Sequence, residues 1–416
     1  HYEMEQEEHD VYPDDPDFDI NNARLVTIAT RICVRYECVP MRFIKHVYKI
    51  HTYAQDGRLF EGKTPVSAFL NSSYDGSFIA GLMELRYIQS LPVERIINYF
   101  ESHGFTLKKP TAHKLMEKAS SLFENLYKCI RQTALSDPYK AADETYYKIL
   151  VPEKNSKGKG FRKGYLWVVV GINTRMIYLL YDDGSRSEKV ILNELGGCKG
   201  IIQSDGYSPY RKLESDAYPH ITRIPCLQHI KRKFIDCGED DPDAKRIVEM
   251  INTLYQNEHK HKIGVDGWTV EQNLVHRKKY APDILGEIKD VLDDIEERGD
   301  LLPKSELKEA ITYLRNEWNA VVDIFNYGDT YLDNNIVERM NRYISLSRKN
   351  SLFFGSHKGA ERGAILYTIA LTCRMNKVNL FEYLTDIINR TAEWQPNTPL
   401  EKYRQLLPDR WEKAND

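Results

Sequence analysis

Three acidic residues from widely separated parts of the chain, Asp143, Asp205 and Glu338, could together hold divalent metal ions. Phosphoryl transfer with two magnesium or manganese ions needs carboxylates from separate elements, because the two ions must lie about 3.5 to 4 Å apart. One ion activates the nucleophile and the other stabilises the leaving oxygen. The trio therefore predicts phosphodiester chemistry, with these residues as metal ligands and catalytic residues.

Each of the three residues is weak evidence when it is taken alone. Strands often carry an aspartate at the surface, and helices commonly carry glutamates. Asp205 is followed by Gly206, and an Asp-Gly pair is typical of a turn. The interpretation therefore depends on whether the surrounding elements bring the three carboxylates together.

The segments around these residues follow the order β-β-β-α-β-α-β-α, which is that of a ribonuclease H-like domain. Apolar and alternating runs at 141–151, 164–171 and 175–181 predict three strands that form an antiparallel meander. The other predicted elements are a helix at 187–195, a strand at 200–205, a helix at 208–214, a strand at 221–225 and a helix at 227–236. Asp143 then lies on the first strand, and Asp205 ends the fourth.

Helical periodicity dominates the segments on either side of this domain. Helices are predicted at 77–89, 92–101 and 110–133, and Gly104 between the last two favours a helix-turn-helix that contacts DNA. Plain helix packing explains the same pattern, so both interpretations stay open. Further helices are predicted at 245–255, 269–279, 283–297 and 305–325, followed by a long helix pair at 334–388.

The predicted fold class is mixed α/β, a ribonuclease H-like catalytic core with a helical insertion, preceded by a small β-rich segment and a helix-turn-helix-like domain. The predicted segments are an acidic disordered tail at 1–22, the β-rich segment at 23–64, the helical domain at 65–135, the first part of the core at 136–239, the insertion at 240–325, the last part of the core at 326–376 and a helical tail at 377–416.

The composition narrows the function classes. The first 20 residues carry nine carboxylates and no Lys or Arg. The rest of the chain therefore has 52 of the 61 acidic residues and all 58 Lys and Arg, which gives it a net charge of about +6. This charge is compatible with a polyanionic partner. No apolar run reaches the roughly 18 residues of a membrane helix, so no membrane partner is expected. The seven cysteines contain no C-x-x-C pair, which favours a reducing compartment such as the cytoplasm.

Six short motifs, taken in order, make the combination far more specific. They are Asp143-Glu-Thr, Gly164-Tyr-Leu-Trp, Ser204-Asp-Gly-Tyr, Cys226-Leu-Gln-His-Ile-Lys-Arg, Asp333-Asn-Asn-Ile-Val-Glu-Arg and Arg348-Lys-Asn-Ser-Leu-Phe-Phe-Gly-Ser. Over residues 40–390 the chain thereby resembles the insertion sequence 66 family of DDE transposases. The resemblance implies a ribonuclease H-like core, a triad on Asp143, Asp205 and Glu338, bacterial mobile DNA and a cytoplasmic, nucleoid-associated protein. It also implies accessory proteins of the same element and a homo-oligomer, because both element ends are handled together.

One departure from the family concerns zinc. Family members usually carry a cysteine-rich zinc-binding stretch, whereas Tyr53-Ala-Gln-Asp-Gly-Arg occupies the place of the second cysteine pair here. Cys33 and Cys38 are spaced C-x4-C and are poor replacements. No structural zinc is therefore expected. Cys226 and His229 lie one helical turn apart, but two ligands make only half a zinc site. His229 is therefore interpreted as a residue that supports the site or contacts a phosphate. The alternative is a histidine buried in the core.

Basic residues near the acidic centre are candidates for DNA contact, because DNA phosphates must lie there. The alternative is an ordinary solvated surface. The predicted contacts are Lys157, Lys159, Arg162, Lys163, Arg339, Arg342, Arg348, Lys349 and Lys358. Any contact from the insertion is expected to use Arg277, Lys278 and Lys279. Asp333, Asn334 and Asn335 are predicted to support the site, with Asp333 as the N-cap of the helix that carries Glu338.

These observations predict a DNA transposase that hydrolyses a phosphodiester at each element end and transfers the freed 3′-hydroxyl into target DNA. The predicted cofactors are two magnesium ions, or manganese, and the predicted partners are the terminal inverted repeats and target DNA. Two alternatives remain open, a transposase-derived DNA-binding protein without catalysis and a ribonuclease H-like nuclease or resolvase. Cleavage followed by joining separates them, because a nuclease cuts without joining and a binding protein does neither.

Overall fold

The computed structural model describes residues 41–47, 49, 51–55, 58–61, 69, 72–153, 160–238, 240–395 and 397–413. The predicted acidic tail at 1–22, the cysteines at positions 33 and 38, and the predicted DNA contacts Lys157 and Lys159 lie outside these residues. Within the β-rich segment, β1 (Thr52–Gln55) and β2 (Arg58–Glu61) pair as an antiparallel hairpin.

A five-stranded mixed sheet forms the centre of the fold. Its strands are β3 (Tyr139–Leu150), β4 (Phe161–Gly171), β5 (Met176–Leu180), β6 (Gly200–Ser204) and β7 (Ile221–Pro225). Their spatial order is β5-β4-β3-β6-β7; β3, β4 and β5 pair antiparallel, whereas β3, β6 and β7 run parallel. The predicted meander and the two later strands are confirmed.

The helices within and around the sheet follow the predicted order. They are α1 (Gly76–Met83), which continues into a π-helical turn at Glu84–Ile88, α2 (Val93–Ser102), α3 (Lys109–Leu122), α4 (Glu124–Ser136), α5 (Glu188–Leu195), α6 (Ser208–Arg211), α7 (Leu227–Ile235), α8 (Pro242–Glu258), α9 (Val270–Glu297), α10 (Glu306–Ile324), α11 (Asn335–Asn350), α12 (His357–Met375), α13 (Leu380–Thr391) and α14 (Leu400–Arg404). Ser187 caps α5 by accepting the backbone N–H of Lys189. None of the helices in the described ranges combines the length and apolarity of a membrane span.

Helix α12 covers the outer edge of β5. The hydroxyl of Thr368 accepts the backbone N–H of Leu179, and the hydroxyl of Thr372 donates to the carbonyl of Ile177. An uncovered edge strand presents unpaired backbone groups that can pair with another chain. The two threonines satisfy part of the backbone of that edge strand.

Three predictions of helix boundaries were wrong. The predicted helix at 110–133 is two helices that meet at Phe123, where the hydroxyls of Ser120 and Ser121 both donate to the carbonyl of Glu117. Such back-bonding bends helices, and it competes with the regular helical ladder. The buried Phe123 anchors the bend in the core.

In the insertion, the helices predicted at 269–279 and 283–297 are the single helix α9, which continues through Pro282. Proline removes one helical hydrogen bond, but Ala281, Leu285 and Ile288 on either side face one buried core. Packing therefore outweighs the local break.

The predicted pair at 334–388 is three helices. The turn after α11 bonds to the end of β3, because Phe354 donates its N–H to Lys148 and accepts the N–H of Leu150. This docking fixes where α11 must stop.

The helical insertion packs against the β7 edge of the sheet. A single apolar core includes Ile224 of β7, Phe234 of α7 and residues of all three insertion helices, such as Ile251, Leu292 and Ile311. The insertion thus shares a core with the sheet. Arg277, Lys278 and Lys279 were predicted as the DNA contacts of the insertion. The prediction was wrong for Arg277, which is buried at 1% exposure.

Arg277 is held by a set of acceptors within the fold. Its guanidinium pairs with Glu258 at 2.7 Å and donates to the carbonyls of Ile324 and Thr330. A long side chain with all its donors used inside the protein cannot contact DNA. Sequence alone could not separate it from the neighbouring lysines, since all three are cationic.

A buried ion pair joins the insertion to the sheet and provides a stability prediction. Arg223 on β7 donates to Glu317 on α10 at 2.6 Å, and the two side chains are 0% and 1% exposed. Arg223→Ala leaves Glu317 buried without its partner, so we expect the free energy of unfolding to fall by about 3 to 5 kcal/mol. Urea denaturation measures this change.

The matched control is an exposed pair. Lys109 lies 2.7 Å from Glu94, and both side chains are more than half exposed. Lys109→Ala is expected to change the free energy of unfolding by no more than about 1 kcal/mol. Equal losses in the two variants would contradict the role given to Arg223.

Candidate active site

Asp143 and Asp205 lie side by side on neighbouring strands. In the parallel register of β3 and β6, Ala141 is opposite Gln203, and each aspartate lies two residues further along its strand direction. Asp205 follows the last residue of β6. The sheet therefore brings two residues that are 62 positions apart next to each other, where β6 ends beside β3.

The environment of Asp143 penalises its negative charge. Burial, followed by repulsion from Asp205 and Glu144, raises the pKa of Asp143 to about 8. Two hydrogen bonds oppose this rise: Asn341 Nδ2 donates to Asp143 Oδ2 at 2.6 Å, and the backbone N–H of Glu144 donates to Oδ1 at 2.8 Å. A buried carboxylate beside a second one is the donor set that a hard divalent cation would neutralise.

Helix α11 brings Glu338 to the same cleft. The helix packs against β3, and its residues Val337 and Ile344 are fully buried. Glu338 lies about 100° round the helix from Val337, on a partly exposed side, and its side chain is 28% exposed. The cleft has a volume of about 310 Å³ and is lined by Asp143, Glu144, Thr145, His229, Glu338, Asn341, Arg342 and Ser345.

The start of α11 differs from the prediction by one residue. The N-cap position belongs to Asn334 and not to Asp333, and the side chain of Asn334 makes no capping bond. Asp333 Oδ1 instead accepts the N–H of Asn335 at 3.1 Å, so it still serves the first turn. Asn335 itself is exposed.

Asn334 occupies the N-cap position, but its side chain does not cap the helix because it bonds elsewhere. Its Nδ2 donates to the carbonyl of Ala142 at 3.1 Å, and its backbone N–H donates to Cys226 Sγ at 3.2 Å. Both contacts tie the beginning of α11 to the strand and helix beside it. Asn334 therefore positions the helix that carries Glu338 relative to Asp143.

The loop after Asp205 is built tightly around Gly206. The carboxylate of Asp205 accepts the N–H of Tyr207 at 3.1 Å, which makes the expected turn. The N–H of Gly206 donates to the hydroxyl of Tyr313 on α10 at 2.9 Å, and a Cβ at Gly206 would lie 2.4 Å from that oxygen. Glycine is needed here because the insertion approaches so closely, which also places the insertion beside Asp205, as predicted.

Four residues that line the cleft escaped the sequence analysis: Glu144, Thr145, Asn341 and Ser345. Asn341 lies one turn after Glu338, and this i, i+3 spacing on a helix was a usable signal. Glu144 is adjacent to Asp143; its side chain is 6% exposed and pairs with Arg186 at 2.6 Å, and burial raises its pKa. Strand alternation assigns adjacent residues to opposite faces, so the pattern gave no reason to include Glu144.

The predicted DNA contacts have different environments. Arg348 donates to the carbonyl of Tyr146 at 2.5 Å and lies over its ring at 3.9 Å, and Lys163 lies over the same ring at 4.8 Å. Arg162 bonds to the carbonyl of Asp183. The exposed cations among the predicted contacts within the described residues are Arg162, Lys163, Arg339, Arg342, Lys349 and Lys358. Of these, Arg342 lines the cleft directly.

Residues 71–362 match a family model described as the transposase IS66 family. This match covers more than half of the chain, and the chain belongs to that family. Membership supports a transposase role within an insertion sequence.

Three curated relatives come from Sinorhizobium fredii (strain NBRC 101917 / NGR234), and each is an uncharacterized protein. The chain is 25% identical to y4jD over 80% of its own length and 65% of the relative's length. It is 23% identical to y4hP over 94% of its length and 73% of the relative's, and 26% identical to y4qI over 88% and 69%. The chain thus spans slightly less than two thirds of y4jD.

Proposed function

We propose that this protein is a DDE transposase with a ribonuclease H-like core, in which Asp143, Asp205 and Glu338 form the metal-binding triad. The observation that carries the proposal is the buried Asp143, whose pKa the neighbouring Asp205 helps to raise, in a cleft that Glu338 of α11 also lines. The strand order β5-β4-β3-β6-β7, antiparallel and then parallel, supports the assignment of the core.

The residues of the cleft fit a pair of hard cations. The donor set is made of carboxylate oxygens, and the buried amide oxygen of Asn341 has no hydrogen-bond partner among the described residues. When bound, two magnesium ions, or manganese, supply the charge that activates the attacking oxygen and stabilises the leaving one. Asp143, Asp205 and Glu338 would hold these ions.

The other residues of the cleft position the substrate and the ligands. Asn341 fixes the carboxylate of Asp143 through its 2.6 Å hydrogen bond. Arg342, exposed on the next position of the helix, is placed to contact a DNA phosphate at the cleft. The first reaction adds water across a phosphodiester at the element end and releases a 3′-hydroxyl. In the second, that hydroxyl attacks a phosphodiester of target DNA and displaces a 3′-hydroxyl of the target strand.

Exposed lysines beyond the cleft provide a prediction about DNA binding. Lys349 and Lys358 are exposed on α11 and α12, whereas Arg348 is engaged by Tyr146. Replacing both lysines by alanine should weaken binding to unrelated DNA sequences alike, because phosphate contacts carry no base information. The slope of log K against log salt should become shallower by about 0.9 for each lost contact.

Fluorescence anisotropy with two duplexes of different sequence, measured over a series of salt concentrations, checks this expectation. Lys304→Ala, an exposed lysine of the insertion, is the matched control and should leave the slope unchanged. A loss restricted to one of the duplexes would assign base recognition to these lysines, and an unchanged slope would remove them from the DNA-binding surface.

A further inference from the structure

Cys226, His229 and Glu338 bring three different donor atoms together at the rim of the cleft. Their sulphur, ring-nitrogen and carboxylate-oxygen atoms all lie within 4.8 Å of one another. Cys226 Sγ is 4.0 Å from Glu338 Oε1, and His229 Nδ1 is 3.5 Å from the same oxygen. In a tetrahedral zinc site, bonds of about 2.0 to 2.3 Å place the donors about 3.3 to 3.7 Å apart. The observed distances need only small side-chain adjustments to reach that geometry.

Two helix starts produce this arrangement. Cys226 is the N-cap residue of α7, and His229 lies in the first turn of that helix. Glu338 lies in the first turn of α11. The backbone N–H of Asn334 donates to Cys226 Sγ at 3.2 Å, which orients the sulphur and joins the two helix starts. Such outer contacts are what fixes ligands in metal sites.

The ring nitrogen of His229 is the second, independent observation. His229 Nδ1 is buried and makes no hydrogen bond within the described residues; the carboxylate oxygen 3.5 Å away, Glu338 Oε1, is itself one of the three donors. Buried polar side-chain atoms almost always have a partner. An unsatisfied nitrogen that faces a carboxylate and a sulphur therefore points to a ligand between them.

We propose that Cys226, His229 and Glu338 bind a borderline-soft divalent cation of the zinc class, with the fourth coordination position open to the cleft. Sulphur and imidazole ligands select zinc or cobalt over magnesium, which prefers oxygen alone. The site is distinct in chemistry from the all-oxygen pair Asp143 and Asp205. Glu338 is common to both sets, so a zinc-class ion would compete with magnesium for this carboxylate; that consequence rests on the proposed function, whereas the binding itself does not.

Titration of the metal-free full-length chain with Co²⁺ tests the proposal, because a cobalt–thiolate bond gives a charge-transfer absorption band. We expect the band in the wild-type protein and its loss in Cys226→Ser. His229→Ala should lower the affinity for Co²⁺ at least about tenfold, since loss of outer-shell contacts alone has effects of that size. Circular dichroism of each variant without metal checks the fold.

Two controls separate this proposal from the proposed function. Cys237→Ser, just beyond the end of α7, should keep the band. Asp205→Asn should also keep the band although it is expected to lose DNA cleavage, so either proposal can fail without the other. Absence of the band in the wild-type protein, or its persistence in Cys226→Ser, would overturn the zinc-class site. If Cys226→Ser does not fold, unchanged Co²⁺ affinity in both His229→Ala and Glu338→Gln overturns it.

Discussion

Asp143→Asn and Asp205→Asn should each lower magnesium-dependent cleavage of element-end DNA at least about a thousandfold, which corresponds to about 4 kcal/mol of transition-state stabilisation. Each substitution removes one carboxylate from the proposed cation site beside β3 and β6. DNA binding should remain largely intact, because affinity for DNA comes mainly from Lys and Arg contacts to phosphates, and an aspartate makes none. Single-turnover cleavage of a labelled duplex measures the effect.

Asp143→Asn should not lower the free energy of unfolding of the metal-free protein. The pKa of Asp143 is raised to about 8 in the folded chain, so at neutral pH its ionisation opposes folding, and a neutral amide removes that penalty. Asp216→Asn, an exposed aspartate in the loop before β7, is the matched control and should cleave normally. Near-native cleavage by either active-site variant would exclude that residue from the triad.

Glu338→Gln should also silence cleavage, while the free energy of unfolding changes by no more than about 0.5 kcal/mol. The side chain is partly exposed and lines the cleft, so its loss should affect the proposed cation site and not the core. Glu361→Gln, an exposed glutamate near the start of α12, is the matched control and should remain active.

Asp333→Ala should instead lower the stability of the protein more than its cleavage activity. Its carboxylate accepts the N–H of Asn335, so its removal should cost about 1 kcal/mol of stability and reduce cleavage only in part. Thermal unfolding and cleavage measured on both variants compare the two residues. An inactive, stable Asp333 variant beside an active Glu338 variant would place the third ligand five residues earlier.

The sheet could be predicted from the sequence because its strands are short apolar runs between turn residues. Residues 221–225 were predicted with the observed bounds, and β3, β4 and β5 were correct to within a few residues. Such runs have few alternatives to strand structure when turn residues bound them.

Helix boundaries were less predictable because tertiary contacts decide them. The break at Phe123 and the continuation through Pro282 both oppose the local pattern, since a helical periodicity continues through 110–133 and proline normally ends a helix. In each case a buried side chain or a shared core outweighs the local preference.

The three proposed carboxylates come from the sequence, whereas most contacts around them could not be predicted, although the spacing of Asn341 from Glu338 was a usable signal. Asn341, Glu144 and the contact of Cys226 with Asn334 depend on how α11 and α7 pack beside β3. Likewise, Arg277 looks like its lysine neighbours in the sequence and is buried only because α9 packs over Glu258 and Thr330. The spacing of residues within one segment does not show which residues from distant segments of the chain pack against each other.

The most direct test of the central claim is a cleavage-and-joining assay with the purified chain, magnesium, a labelled element end and a target plasmid. The proposed transposase predicts magnesium-dependent nicking of the element end, followed by covalent joining of the labelled strand to the plasmid, with both products absent in Asp143→Asn. Cleavage without joining under conditions that support element-end binding would identify a nuclease. Binding with neither product, in magnesium or manganese, would contradict the catalytic role of the triad.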